Sequence, residues 1–139
     1  MTVKFTIFGA PQGKARPRVV HHGTRTIAYT PANSAAYEDI VKLEYQQQCG
    51  HKFPAKTPLR INILAFYPIP KSASKRTRQG MEAGEIHPTV KPDWDNVGKI
   101  ICDALNGIAY HDDAQVVSAT VDKRYGVEPM VCCVISDEI

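Results

Sequence analysis

The segment KPDWDNVGKIICDALNGIAYHDD, residues 91–113, concentrates carboxylates in a chain of 139 residues with a net charge of +3. Clustered carboxylates repel one another and raise one another's pKa, so a fold accepts them most readily around a divalent cation. Mg²⁺ takes oxygen ligands, usually one or two carboxylates with water and substrate phosphate. It can polarise a phosphoryl oxygen and lower the pKa of a bound water. The pattern indicates metal-assisted phosphoryl chemistry at Asp93, Asp95, Asp103, Asp112 and Asp113.

A short helix is predicted to position these side chains. Its apolar residues follow the helical period, and Asn106-Gly107 is typical of a helix C-terminus. Asp95 is expected to be the N-cap of a helix that opens at Asn96. Spacing of four then places Asp95, Lys99 and Asp103 in one polar line, with Asn96 beside it. The apolar residues that we expect to face the core are Val97, Ile100, Ile101, Ala104 and Leu105.

The second acidic cluster, Asp112-Asp113, follows the helix directly in AYHDD and could return to its polar face. Each part also has a plainer interpretation, since Asp95 could only cap a helix and Asp112-Asp113 could only form a turn. A DxDN motif, a lysine on the same helical line and a following DD together favour a metal site. For Trp94 and Tyr110 we expect core packing, and for His111 a place at the surface.

Two basic segments flank the acidic one. Residues 11–25 and 71–91 hold nine of the 17 Lys and Arg residues. Basic loops beside a carboxylate cluster indicate contacts to a phosphate backbone, whose affinity would fall steeply with salt. Arg16 and Arg18, held by Pro17, are the first candidates. The full set is Lys14, Arg16, Arg18, Arg25, Lys71, Lys75, Arg76, Arg78 and Lys91.

The first half of the chain is predicted to contain two strands and one helix. Val3, Phe5 and Ile7 alternate with polar residues, as in a half-buried strand. After a proline-interrupted basic loop, residues 27–29 are a candidate short strand. The helix spans Pro31 to Cys49, with Thr30-Pro31 as its start. Its apolar line is Ala36, Ile40 and Leu43, with Tyr37 and Val41 beside it. Leu59 to Tyr67 then alternates strictly and predicts a strand.

The second half yields a long aperiodic segment after Pro70, interpreted as a functional loop, then the acidic helix and two strands. Val116 to Tyr125 and Met130 to Ile135 are expected to form an antiparallel hairpin through GVEP. The prediction is a single α+β domain over residues 1–139, with two main helices on a mostly antiparallel or mixed sheet.

The cysteines and the N-terminus indicate where in the cell the protein works. The four cysteines form no CxxC pair and fit reduced core thiols, which suits a cytosolic, cytoplasmic protein. The N-terminus lacks the features of a signal peptide, and no apolar run approaches membrane-spanning length.

KPDWDNVGKIICDALNG followed by HDDAQVV resembles the signature of the RusA family of Holliday-junction resolvases, small endodeoxyribonucleases of bacteria, their phages and prophages. The shared pattern is D-x-D-N-x-x-K and then D-D-x-Q-V. It is strongest from Lys91 to Val117 and extends more weakly over most of the chain. Trp94 departs from the family, in which an aliphatic residue is common at that position. Its ring could pack under the site or stack on an unpaired base at a junction, and core packing is the role we expect.

The resemblance implies a homodimer, dependent on Mg²⁺ or on Mn²⁺ in its place, that nicks four-way DNA in recombination and repair. Asp93, Asp95 and Asp113 match the family's metal-binding aspartates, and Lys99 matches its catalytic lysine. Asp112 is the next candidate for the metal, and Asn96 and Asp103 fall on positions with supporting roles. Two-fold symmetry of a four-way junction suits a dimer that makes two matched nicks.

Two other hypotheses are compatible with parts of the pattern. A non-catalytic protein that binds branched DNA would use the aspartates only structurally, although the complete acidic set argues against it. A glycosyltransferase also uses DxD with a metal, but the chain has no G-x-G nucleotide loop and no repeated βα pattern.

Overall fold

The computed structural model describes residues 1–15, 18–29 and 32–139, and gives only the backbone at positions 18, 20, 22 and 27–29. It shows a small α+β fold, as predicted, with three α-helices where the sequence predicted two main ones. The elements are β1 (Thr2–Phe8), β2 (Arg18–His22), β3 (Arg25–Tyr29), α1 (Ala32–Gln48), β4 (Leu59–Pro68), α2 (Lys75–Glu82), α3 (Trp94–Leu105), a 3₁₀ turn (Asp113–Gln115), β5 (Val116–Gly126) and β6 (Met130–Ser136).

Four strands form a mixed sheet in the order β1-β6-β4-β5. β6 is antiparallel to both β1 and β4, whereas β4 and β5 are parallel. The predicted β5–β6 hairpin is therefore wrong, because β4 lies between the two strands. Alternate residues of β4, from Leu59 to Tyr67, are buried, and a strand on each side of β4 pairs the backbone groups of both its edges.

A separate hairpin of β2 and β3 occupies part of the basic segment that the sequence analysis treated mainly as a loop. Its second strand, Arg25–Tyr29, includes the predicted residues 27–29. The predicted helix start at Thr30-Pro31 lies outside the described residues.

α1 turns a different face to the core from the one predicted. Tyr37, Val41 and Tyr45 are buried, and the Tyr45 ring meets Phe5 of β1 edge-on, with ring centroids 5.1 Å apart. Ile40 and Leu43, on the predicted apolar line, are 49% and 52% exposed. Large aromatic side chains bury more area than aliphatic ones, and the tyrosines decide which face packs.

The segment after Pro70 is not wholly irregular, since it contains α2. Ser74 caps this helix by accepting a hydrogen bond from the backbone of Thr77 at 3.2 Å. Met81 is its one buried residue. A helix with a single buried apolar residue has no periodic apolar pattern, which explains why the sequence did not predict it.

Within the described part of the chain, no helix has the length and apolar character needed to cross a membrane. All four cysteines are free thiols, and Cys133 is buried.

Candidate functional site

α3 begins one residue after Asp93, two residues earlier than predicted. Asp93, in an extended conformation, is the N-cap, and its carbonyl accepts a hydrogen bond from the backbone of Val97 at 3.0 Å. The Asp93 side chain makes no capping hydrogen bond. Asp95 therefore lies in the first turn instead of capping the helix. The carboxylates of Asp93 and Asp95 are both exposed at this end of α3.

The chain that leads into α3 is held by neighbouring strands. The Tyr67 hydroxyl donates to the carbonyl of Pro92, and Lys123 Nζ donates to the carbonyl of Val90 at 2.7 Å. Lys123 also lies 4.8 Å above the centre of the Tyr67 ring. Burial and the nearby charge of Asp93 raise the pKa of Tyr67 to about 12, so the hydroxyl stays protonated as a donor.

The segment before β2 packs against the same end of the helix. The backbone N–H of Lys14 donates to the carbonyl of Asn96 at 3.1 Å. A Cβ at Gly13 would lie 3.0 Å from the Cβ atoms of both Pro92 and Asn96. Glycine is the residue that permits this close approach. Asn96 thus supports the start of the helix through its backbone and through contact with Gly13.

The polar line of α3 is confirmed at its second half. Lys99 Nζ lies 3.5 Å from Asp103 Oδ2, and the Lys99 side chain is 61% exposed. The buried positions of α3 are the five predicted, Val97, Ile100, Ile101, Ala104 and Leu105. The lysine therefore projects from the surface of a helix whose opposite side is fixed in the core.

Lys14 was predicted to contact DNA, but its ammonium group is occupied within the protein. It lies 2.5 Å from Glu38 of α1 and 3.5 Å from Asp103 of α3, with 13% of its side chain exposed. Burial opposes the charged form, yet the two carboxylates raise the pKa of Lys14. The side chain links α1 to α3 and gives Asp103 a structural partner.

Asp112 and Asp113 form what we call the acidic turn, at the start of the 3₁₀ turn. The backbone N–H of Asp113 donates to Asn106 Oδ1 at 2.8 Å, which ties the acidic turn to the end of α3. Asp112 is the N-cap, and its carboxylate accepts from the backbone of Ala114 at 3.3 Å. Asp112 therefore helps to form a turn, which is the plainer of the two interpretations that the sequence allowed.

Gln115, for which the sequence analysis gave no role, fixes the acidic turn. Its side-chain oxygen accepts from the backbone N–H groups of His111 and Asp112, at 3.0 and 3.2 Å. Its amide nitrogen donates to the carbonyls of Pro54 and Thr57, at 3.0 and 3.1 Å. The motif D-D-x-Q-V contained this residue, but its partners in the segment before β4 lie too far along the chain to be recognised.

Like charges meet at Asp113. Burial, the Asp112 side chain and the charge of Asp103 raise the pKa of Asp113, and only Lys99 opposes them. The hydrogen bond from Asp113 to Asn106 fixes the acidic turn at the C-terminal end of α3. A bound cation would relieve this repulsion.

The predicted metal ligands form two groups along α3. Asp93 and Asp95 are at the N-terminal end, and Asp95 is about 12 Å in helical rise from Asp103, the neighbour of the acidic turn. Among the residues that the structure describes, no three His, Cys, Asp or Glu side chains are grouped so as to hold a metal ion. Mg²⁺ often uses only one or two carboxylates, with water and phosphate as further ligands. The exclusively carboxylate donor set fits such an ion.

The predicted DNA-binding residues differ in their exposure and in the elements that carry them. Arg16, and the side chain of Arg18, lie outside what the structure describes. Three residues are on α2, where the Arg78 guanidinium donates to the carbonyl of Pro70 at 3.5 Å. The exposed members of the set are Arg25, Lys71, Lys75, Arg76 and Lys91.

Trp94 is not in the core, contrary to prediction. It is 62% exposed, at the first position of α3. Tyr110 is buried as predicted, and its hydroxyl donates to the carbonyl of Cys102 at 2.7 Å. His111 is exposed, also as predicted.

The mixed α+β fold, with its acidic helix and acidic turn, agrees with sequence comparison. The chain matches the sequence model of the endodeoxyribonuclease RusA over residues 9–136 and belongs to the RusA family, a family of nucleases that act on branched DNA and generally depend on a divalent metal. It is also similar to the uncharacterized protein YqaN of Bacillus subtilis (strain 168). The two are 36% identical over 131 residues, which cover 93% of this chain and 92% of YqaN.

Proposed function

We propose that this protein is a Mg²⁺-dependent endonuclease that resolves four-way DNA junctions by paired phosphodiester hydrolysis. The observation that carries the proposal is the hydrogen bond that holds the acidic turn at the C-terminal end of α3, the helix that also bears the Lys99–Asp103 ion pair, in a chain of the RusA family. Family membership supplies the reaction class, and the position of the acidic turn supplies the carboxylates for it.

Asp93, Asp95 and Asp113, with Asp112, are the candidate metal ligands. Because they form two groups along α3, one or two carboxylates with water and phosphate would hold an ion. When bound, Mg²⁺ polarises the phosphoryl group and lowers the pKa of a water molecule. The exposed Lys99 ammonium offsets negative charge on the phosphate as it develops. Asp103 orients Lys99 through their 3.5 Å ion pair. The side-chain oxygen of Asn106 holds Asp113 by accepting a hydrogen bond from its backbone N–H.

The exposed basic residues would hold the DNA arms through phosphate contacts, which position a duplex without reading its sequence. Lys75 and Arg76 on α2 are suited to this, as are Arg25 and Lys91. We assign Lys14 an internal role instead, because its ammonium already pairs with two carboxylates. A homodimer would supply two matched sites for a two-fold symmetric junction.

The test uses a synthetic four-way junction, a fork and a linear duplex, each with Mg²⁺ or with EDTA. We expect paired nicks in the junction with Mg²⁺ and none with EDTA. Asp113→Asn should lower the cleavage rate by about a hundredfold or more, since even outer partners of metal ligands contribute factors of 10 to 100. Asp122→Asn is the matched control, because Asp122 is an exposed aspartate on β5 outside the proposed site.

Two outcomes would contradict the proposal. Full activity in Asp113→Asn would remove Asp113 from the site. Junction binding without nicking in either Mg²⁺ or Mn²⁺ would favour the non-catalytic DNA-binding protein.

A further inference from the structure

Trp94 is the single tryptophan of the chain, and its ring is exposed within the proposed site. It lies between Asp93 and Asp95, whose carboxylates are also exposed. Among the described residues, the aromatic ring pairs are Phe5 with Tyr45 and His51 with Phe53, and Trp94 is in neither. A large aromatic surface beside the carboxylates is thus available to a ligand.

The backbone that carries Trp94 is fixed on both sides. Before it, the carbonyls of Val90 and Pro92 accept hydrogen bonds from Lys123 and Tyr67. After it, the carbonyl of Asn96 accepts from Lys14. A tryptophan has only two side-chain torsions to restrain, so a ring on such a base loses little conformational entropy when it binds.

The surroundings of the ring favour a nucleic-acid base over an apolar protein surface. Lys91 is exposed three residues before Trp94, and Lys99 is exposed one turn beyond Asp95. Exposed cations that can meet phosphates therefore flank Trp94 along the chain. Every base has a π-face, and aromatic side chains stack on unpaired bases in single-stranded DNA.

A continuous duplex offers no such face, because its bases are stacked on one another. At the branch point of a junction, a base can leave the stack. We propose that Trp94 stacks on an unpaired base at the branch point and thereby favours branched DNA over linear duplex. This inference rests on the proposed function and gives Trp94 a binding role that the carboxylates and Lys99 do not fill.

The test exploits the single tryptophan, whose fluorescence can be excited selectively over tyrosine. The protein is titrated in EDTA with a four-way junction and with a duplex of the same arm sequence. We expect stronger quenching by the junction. A junction with 2-aminopurine at the branch point should lose that probe's emission when wild-type protein binds, since stacking quenches it.

Variants separate stacking from a general loss of apolar surface. Trp94→Leu should weaken junction binding by about tenfold, the typical scale for loss of one stacked base, and leave duplex binding nearly unchanged. Trp94→Phe should restore most of the difference. Ile139→Ala, which removes another exposed apolar side chain, 64% exposed, should bind both DNAs like the wild type.

Equal affinities of Trp94→Leu and wild type for the junction would overturn the role of Trp94, while wild-type nicking would still support the proposed function. Fluorescence that changes with protein concentration but not with DNA would instead place Trp94 in a contact between copies of the chain. A wild-type protein that neither binds nor cuts junctions would overturn both proposals.

Discussion

Gln115 holds the acidic turn in place through four hydrogen bonds of one buried side chain. Two of these reach the backbone of His111 and Asp112, and two reach the segment before β4. Because the side chain is 8% exposed, water cannot easily replace these partners. The position of Asp113 relative to Lys99 therefore depends on a residue that carries no charge.

Replacement of this amide should destabilise the protein. We expect Gln115→Ala to lower the free energy of unfolding by about 1–3 kcal/mol, since buried backbone donors and acceptors lose their partners. The measurement is urea denaturation, followed by circular dichroism. Gln79→Ala, at an exposed position on α2, is the control and should change little. An unchanged midpoint for Gln115→Ala would show that the four bonds add nothing.

Some side-chain contacts of the site could be predicted from the sequence, and others could not. The line of Lys99 and Asp103 was predictable, because helical spacing alone brings these side chains together. The two ion pairs of Lys14 were not predictable, since its partners Glu38 and Asp103 lie on different helices. Exposure of Trp94 was also missed, because the large apolar side chain of a tryptophan favours burial.

α2 presents basic side chains on a helix with one buried anchor, Met81. Lys75 and Arg76 are exposed in its first turn. Replacement of both by alanine should weaken binding to junction and duplex by similar factors, because phosphate contacts carry no shape preference of their own. The slope of log affinity against log salt should fall by about 2, near 0.9 for each lost contact.

Fluorescence anisotropy with labelled DNA at several salt concentrations measures both quantities. Lys4→Ala with Lys52→Ala removes the same charge from exposed positions on β1 and after α1, and should leave the slope nearly unchanged. A slope that falls equally in both double variants would mean that net charge, and not α2, determines binding.

α1 illustrates how a helix can be predicted correctly and oriented incorrectly. It ends at Gln48, one residue before the predicted end, and its predicted start lies outside the described residues. Ala36, Ile40 and Leu43 have helical spacing, but so do Tyr37, Val41 and Tyr45, and only the second line is buried. The helical spacing of apolar residues indicates that a helix forms. Which of two apolar lines is buried depends on the residues that pack against it, here Phe5 of β1.

The outward line of α1 bears on the proposed dimer of the whole molecule. Ile40 and Leu43 leave about half of their surfaces in water, and contact with the same face of a second copy would bury them in a two-fold symmetric interface. We expect sedimentation equilibrium to give twice the mass of one chain. Ile40→Lys with Leu43→Lys should shift the protein towards monomer, because each charge would be buried in the contact.

Val127→Lys adds a charge at an apolar position that is 78% exposed and should leave the dimer intact. A wild-type protein that remains monomeric at all concentrations would contradict the dimer. Dissociation by Val127→Lys instead of the α1 variant would move the interface to the β5–β6 connection.

At the scale of the molecule, strand positions along the chain were predictable and strand neighbours were not. The bounds of β4 and β6 agree closely with the alternating patterns. The short GVEP connection suggested a hairpin, but the sheet places β4 between β5 and β6. Adjacency in a sheet is decided by contacts between distant segments, which no local pattern contains.

The place of β6 between β1 and β4 also matters while the chain is being made. A ribosome releases β1 and β4 long before β6, and β1 pairs only with β6 among the described strands of the sheet. Until β6 emerges, the nascent sheet has a gap at its centre and unpaired strand edges, the kind of surface that chaperones protect. Because β1 and β6 lie far apart along the chain, their pairing favours slow completion of the sheet.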